Sequence, residues 1–202
     1  MCTGKCSLCI GVVLYPLALI SVICNILLFF PEFKTIYAQE DRDGVGPRIT
    51  EQAKYMSGVI GGGVMVLIPA IHIHLTGTRG CCGNRCGMFL SIAFAAVGVV
   101  GAIYSLSVSI TGLVYGPVCQ YYNIFTGKLE WGTPFVNFTE SYLKNEDLWS
   151  MCLLPKNVVE FNIGLFSAML VAACLEGVLC TSQMINGLLG CICGTCNSKE
   201  RS

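Results

Sequence analysis

The sequence predicts an all-α membrane protein: a four-helix transmembrane bundle under a small, disulfide-tied extracellular cap. Three observations lead there. Hydrophobic residues make up 54% of the 202 positions and charged ones only 12%, against roughly 25% charged in a soluble domain. The apolar residues are gathered into four runs, each long enough, at about 20 residues, to cross roughly 30 Å of hydrocarbon with every backbone group paired inside the segment. Two cysteines, Cys119 and Cys152, stand at the ends of the one long loop. With 12 basic and 12 acidic residues the formal charge is zero, so nothing draws the chain toward nucleic acid.

The first span is Ile10 to Phe30, free of charge and longer in its apolar part than a signal peptide, so it reads as a retained anchor. Residues 31–54 form a polar, turn-rich loop with Asp41, Asp43, Gly44, Gly46 and Pro47, expected to be irregular and to hold no site. The second span covers Tyr55 to Leu75, and a tight turn follows from Thr76 to Gly87. Met88 to Tyr115 is the third span. Residues 116–157 carry Trp131, Trp149 and several Tyr and Phe, enough apolar material for a small ordered cap. Val158 to Ile185 is the fourth span, interrupted by Glu160 and Glu176, and 186–202 is a tail. An even number of crossings puts both ends on one side.

Lys and Arg are divided too evenly to orient the chain by the positive-inside rule. Two other features orient it. Asn137-Phe138-Thr139 is an acceptor for N-glycosylation, a lumenal reaction, and it lies in the long loop. Cys119 and Cys152 are the only cysteines outside the spans on that side, placed to bridge the base of the cap. Such a bridge, closing about 34 residues, is worth roughly 3–4 kcal/mol by loop entropy. The termini are therefore expected in the cytosol. Nine cysteines then line one membrane face: Cys2, Cys6 and Cys9 before span one, Cys81, Cys82 and Cys86 in the short turn, and Cys191, Cys193 and Cys196 after span four. Reduced, juxtamembrane thiols of this kind are candidates for S-palmitoylation. A four-thiolate zinc site from Cys6-x2-Cys9 and Cys193-x2-Cys196, or plain free thiols, are the competing readings. No metal or cofactor is expected.

Inside the spans, Glu176 costs at least about 2.5–3.5 kcal/mol at hydrocarbon depth unless it is paired, protonated or facing a cavity. His72 and His74 lie at similar depth in span two, on opposite faces of their helix. Two readings are equal in weight: a His72–Glu176 pair, or a protonated Glu176 bonded to a backbone or serine oxygen. Asn25 sits toward the outer end of span one, where its amide can cross-link helices. Gly58-x3-Gly62 and Gly98-x3-Ala102 provide small-residue faces for close helix approach. No P-loop, Gly-x-Ser-x-Gly or His-Glu-x2-His pattern occurs, so the chain does not read as an enzyme.

The run Met1-Cys-Thr-Gly-Lys-Cys6 with Cys9, Asn25-Ile-Leu-Leu-Phe-Phe-Pro31, Ser57-Gly-Val-Ile-Gly-Gly-Gly63, Pro69-Ala70, Cys81-Cys-Gly-Asn-Arg-Cys86, Gly116-Pro-Val-Cys119, Leu148-Trp149 with Cys152 and Pro155, Leu165-Phe-Ser167 and Asn186-Gly187 resembles the transmembrane 4 L6 family over the whole chain. The resemblance implies a tetraspanin-like arrangement: cytosolic ends, palmitoylation, and a scaffold that gathers integrins, receptors and other tetraspanins into plasma-membrane microdomains. Endolysosomal membranes are the second expected location. The implied partners are membrane lipids and other integral membrane proteins, with self-association left open. The alternative is a lipid- or small-molecule-handling protein with an intramembrane cavity at Glu176. Two departures stand out. Phe161-Asn162-Ile163-Gly164 lacks the sequon that relatives often carry there, and Trp131-Gly-Thr-Pro-Phe135 differs from the Trp-Gly-Tyr-x-Phe of some members.

Overall fold

The computed structural model describes residues 3–37, 48–78, 85–124, 126–137 and 141–193. Four helices are long and apolar enough to cross a membrane. Helix α1 is Thr3–Leu28. Helix α2 runs on through three segments, Ser57–Val59, Ile60–Val64 and Met65–Thr78, of which the middle one is a π turn. Helices α3 and α4 are Arg85–Tyr115 and Val158–Cys193. Helix α1 ends short of the apolar run because the amides of Phe29 and Phe30 close turns onto Ile26 and Leu27, and Pro31, without an N–H, cannot continue the ladder. Pro16 and Pro69 are carried within α1 and α2.

The helices form a ring in which α1 packs on α2 and α4, and α3 packs on α2 and α4. A seven-residue repeat on each helix explains that ring. A buried seam of α1, Ser7, Gly11, Leu14, Ala18, Ser21, Asn25 and Leu28, runs at alternating steps of four and three with Ile10 and Cys24 buried beside it, and α4 repeats the pattern from Val159 and Asn162 through Glu176, Cys180 and Gln183. This is the spacing of a coiled-coil seam. On α3 the same positions are all small: Ser91, Ala95, Gly98, Ala102, Ser105, Ser109 and Gly112. Small residues there admit large ones from α4, since a Cβ on Gly112 would lie 2.6 Å from the Phe166 ring. Tight packing of this kind matters because lipid supplies no hydrophobic drive for helices to associate.

The π turn holds Gly61, Gly62 and Gly63, all buried. A Cβ on Gly61 would meet the Gly101 carbonyl oxygen at 2.6 Å, and one on Gly101 would meet the Gly61 oxygen at the same distance. The glycines thus set α2 and α3 backbone to backbone. The predicted faces are used as well: Gly58 and Gly62 lie over Ser21 of α1, and Gly98 lies over Cys180 of α4. Ala102 is buried.

The cap is built on an antiparallel hairpin, β1 (Cys119–Asn123) with β2 (Lys128–Gly132), in a register that places Cys119 opposite Gly132. The hairpin adds strand to a chain otherwise helical. Gln120 exchanges backbone bonds with Leu153 and Leu154, which brings the end of the loop back onto β1. Cys119 and Cys152 are disulfide-bonded there, their Cα atoms 5.5 Å apart. Phe135 and Tyr142 stack with ring centroids 4.4 Å apart. Both lie over Gly116, whose positive φ of 76° and lack of a side chain let the chain turn under the rings.

The first loop is less irregular than its composition suggests. Its described ends form single turns at Pro31–Phe33, Thr35–Tyr37 and Glu51–Lys54; Ala53 of the last packs into the helices with Leu28 and Phe166, and Tyr37 and Arg48 dock on the cap. Tyr37 lies 6.1 Å from the Trp131 ring, and the Arg48 guanidinium sits 4.8 Å over it. The stretch carrying Asp41, Asp43, Gly44, Gly46 and Pro47 lies outside the described residues.

Candidate functional site

Polar side chains enter the bundle in three layers. At the end near the termini, Gln183 of α4 donates through Nε2 to Ser91 Oγ of α3 at 2.8 Å and to Ser7 Oγ of α1 at 3.1 Å. Ser7 Oγ donates to Gln183 Oε1 at 3.2 Å, and Asn186 Nδ2 donates to Ser7 Oγ at 2.9 Å. Three helices are thereby joined through side chains that leave Gln183 and Ser7 with donors and acceptors matched.

In the middle layer, Ser21 Oγ donates to Glu176 Oε1 at 3.3 Å. Glu176 is completely buried, and its second oxygen, Oε2, has no hydrogen-bond partner. Space for this pair comes from Gly62, where a Cβ would stand 2.8 Å from Ser21 Oγ and 3.2 Å from Glu176 Oε2. The expected alternative of a His72–Glu176 pair is not formed. The His72 ring instead lies 4.7 Å from that of Phe94, and its Nδ1 makes no hydrogen bond. His74 lies against Tyr15, 5.9 Å between rings. Ser21 is the partner instead, for a reason of facing: Ser21 and Glu176 both lie on the seven-residue seams, and His72 is on the flank of α2.

At the cap end, Asn25 bonds across to the segment that enters α2. Its Oδ1 accepts from the amides of Gly58 at 3.1 Å and Val59 at 3.2 Å, and its Nδ2 donates to the Ala53 carbonyl at 3.3 Å. Gly58 and Val59 belong to the first turn of α2, where Val59 also donates to the Met56 carbonyl at 3.0 Å, so Asn25 caps the start of α2 from a different helix. Asn162 of α4 donates to Thr50 Oγ1 at 2.9 Å in the same layer.

In the cap, the Tyr142 hydroxyl donates to the Leu113 carbonyl at 2.6 Å and Trp149 Nε1 donates to the Tyr142 carbonyl at 2.8 Å. Burial pushes the Tyr142 phenol up to about 12. Glu32 accepts hydrogen bonds from the Lys34 side chain and the Lys156 amide, which hold its carboxyl below the usual carboxylate range. That contact ties the start of the first loop to the base of the cap.

Of the nine clustered cysteines, Cys6 and Cys9 are exposed on α1, one turn apart, and Cys191 is half-buried on α4. Cys86 and Cys193 lie at helix ends and their side chains are outside the described residues, as are Cys2, Cys81, Cys82 and Cys196 entirely. The two-motif zinc alternative therefore falls outside them too. Asn137 ends the turn Pro134–Asn137, and the other two sequon positions, Phe138 and Thr139, are likewise outside.

Two openings stand out among the described residues. One, of about 310 Å³, lies at the base of the cap between Trp149, Leu153, Lys156 and Glu160. The other, of about 370 Å³, is an outward groove between α3 and α4 lined by Ala102, Ile103, Leu106, Ala173, Cys174 and Gly177. Neither is lined by Glu176 or His72. Glu176 itself is fully buried in the seam between α1 and α4.

The sequence reading passed over Gln183, Ser7, Ser91 and Asn186. Their signal was available: Asn162, Met169, Glu176 and Gln183 are spaced by seven, as are Ser7, Leu14 and Ser21, a period that holds one helix face.

A family model described as L6 membrane protein matches residues 1–197. Among curated relatives, human transmembrane 4 L6 family member 5 is 42% identical over 205 residues, covering 99% of this chain and 98% of the relative. Rat member 4 is 41% identical over 204 residues, covering 97% and 94%. Human member 1 is 38% identical over 209 residues, covering 100% and 98%. No solved structure matches.

Proposed function

The chain belongs to the L6 membrane protein family, and from that premise we propose that it is a non-enzymatic, tetraspanin-like scaffold. It associates laterally with integral membrane proteins such as integrins, receptors and tetraspanins and organises membrane microdomains. The observation that carries the reading is a division of labour between the inner and outer faces of the bundle, on whose outside the exposed hydroxyls of Ser107, Thr111, Thr181 and Ser182 bond back to their own helices. Polar side chains are turned inward and consumed by one another at Gln183, Glu176 and Asn25, while outward faces, with Val171 at 58% and Val178 at 64% exposure, stay apolar and unspent. A body of this kind has surface to offer neighbours in the membrane plane and no described opening at its buried carboxyl.

In this reading the multi-pass chain sits in the plasma membrane, with both ends and the nine cysteines in the cytosol and the cap outside. Cys6 and Cys9, exposed on α1, are the described thiols best placed to receive acyl chains. For a protein with four spans acylation adds nothing needed for anchoring, so its effect is on lateral sorting. Asn137 carries the glycan.

Co-purification separates this reading from its rivals. Extraction in a mild, lipid-preserving detergent is expected to retain integral membrane partners that a harsher detergent strips away. Recovery of the chain alone under both conditions would overturn the scaffold role. Hydroxylamine-dependent acyl exchange on Cys6 and Cys9 tests the sorting component, and absence of any exchange removes it.

A further inference from the structure

The first loop leaves α1 in a succession of tight turns. Phe29 donates to Ile26, Phe30 to Leu27, Phe33 to Phe30 at 2.8 Å and Lys34 to Pro31 at 3.1 Å. A chain folded back this often gains little height above the helix end, whereas the same residues extended would rise about 3.3 Å each. A second contact fixes the height independently. The Phe33 ring meets Phe161, in the first turn of α4, edge to face with centroids 6.2 Å apart. Phe161 lies within the fourth spanning segment.

At that height Phe33 and Ile36 point outward, 74% and 63% exposed. The opposite side of the same short segment is tied down: Pro31 and Tyr37 are buried, Glu32 accepts from the Lys156 amide, and Tyr37 packs toward Trp131. Two apolar side chains are thus held out, by a segment fixed to the cap, at the level where a spanning helix begins. Tyr55, just before α2, and Tyr115, the last residue of α3, are exposed as well, at 59% and 45%. Every helix therefore has an aromatic side chain at its cap end, the arrangement by which membrane proteins seat themselves at the headgroup level.

The geometry points to Pro31–Tyr37 as a membrane-lying foot: Phe33 and Ile36 insert among the phospholipids of the cap-side leaflet. The occupant is the bilayer because Phe33 rests on Phe161 at the start of a spanning helix, and the cap-side ends of α2 and α3 present exposed Tyr55 and Tyr115 as membrane-boundary residues do. The consequence is that the cap is held down on the leaflet surface at one side by its own first loop, with Lys34 beside the foot at the depth of lipid phosphates.

Photocrosslinking tests the foot. The full chain is reconstituted in phosphatidylcholine vesicles with benzoylphenylalanine in place of Phe33, Ile36, Val171 or Lys128, one at a time, irradiated and analysed by mass spectrometry. Val171, exposed in mid-span, is the lipid-contacting control, and Lys128, exposed in the hairpin, is the aqueous one. Lipid adducts at 33 and 36 several-fold above those at 128, approaching the yield at 171, are expected. Adducts at 171 with none above the 128 level at 33 and 36, or adducts from 33 and 36 only to the cap itself, would overturn the foot.

Discussion

Buried polar groups in the bundle and in the cap find their partners differently. Gln183 bonds only to other side chains, from two further helices, whereas in the cap Tyr142 and Trp149 donate to backbone carbonyls and a disulfide fixes the base. A side-chain network between helices forms at one mutual rotation and one axial offset, so it encodes register. Bonds to backbone, backed by a covalent bridge, hold a local shape whatever the helices do. The bundle therefore specifies which helix faces stay outward, and the cap locks the ends of α3 and α4 together once they are there.

Breaking the cap should have the largest effect. Replacing Cys119 and Cys152 together with Ser removes a bridge between positions 33 apart, and the cap should lose about 3–4 kcal/mol. Limited proteolysis should then cleave between residues 116 and 157 while the spans remain protected; simultaneous loss of the bundle would mean the two regions are not separable.

Next comes the network. Gln183→Leu keeps the volume but strands Ser91 Oγ and leaves Ser7 Oγ with Asn186 as its remaining partner, and should cost about 1–2 kcal/mol in mixed-micelle unfolding. A Ser91→Ala change made on top of it should add much less than it does alone, since the partner is already gone.

Tyr142→Phe removes the bond to Leu113 and should cost the cap about 1 kcal/mol. It carries a pH signature of definite sign. The folded phenol is raised from its ordinary value of 10.0 to about 12, so the unfolded chain gives up its proton first and its stabilising share is intact below about pH 10. That share is lost as pH climbs toward 12. The wild-type minus Tyr142→Phe stability difference, followed by fluorescence of the cap tryptophans, should be flat below pH 10 and shrink above it; a flat difference throughout refutes the assignment.

The smallest effect is expected at the middle layer. Glu176→Gln keeps Oε1 as acceptor for Ser21 and alters only the oxygen that has no partner, so a change within about 0.5 kcal/mol is predicted, the range of a substitution that breaks no bond. The result should be the same with His72 replaced by Phe. Dependence on His72 would restore the histidine pair.

Much of the fold was legible because a bilayer asks for long apolar runs, and four such runs stand plainly in the chain. Cys119 and Cys152 were legible because only two cysteines fall on that side. Glu176 was noticed because an acid in a span is conspicuous, and a serine was one of its two expected kinds of partner, but which serine it meets depends on how the seams of α1 and α4 face each other at Ser21. Gln183 carries no charge and escaped a reading based on charge, although its spacing of seven from Glu176 placed it on the same face. The hairpin, the π turn and the docking of Tyr37 and Arg48 on Trp131 depend on contacts between residues far apart in sequence, which no local pattern encodes.

Crosslinking mass spectrometry in intact cells tests the scaffold role most directly. A photoreactive side chain is placed either at outward-facing Val171 or at Ala173, buried on the α4 seam. The scaffold account predicts adducts with other integral membrane proteins from position 171, and only adducts within the chain's own bundle from 173. Lipid adducts alone from 171, in cells with the chain at its natural abundance, would contradict it.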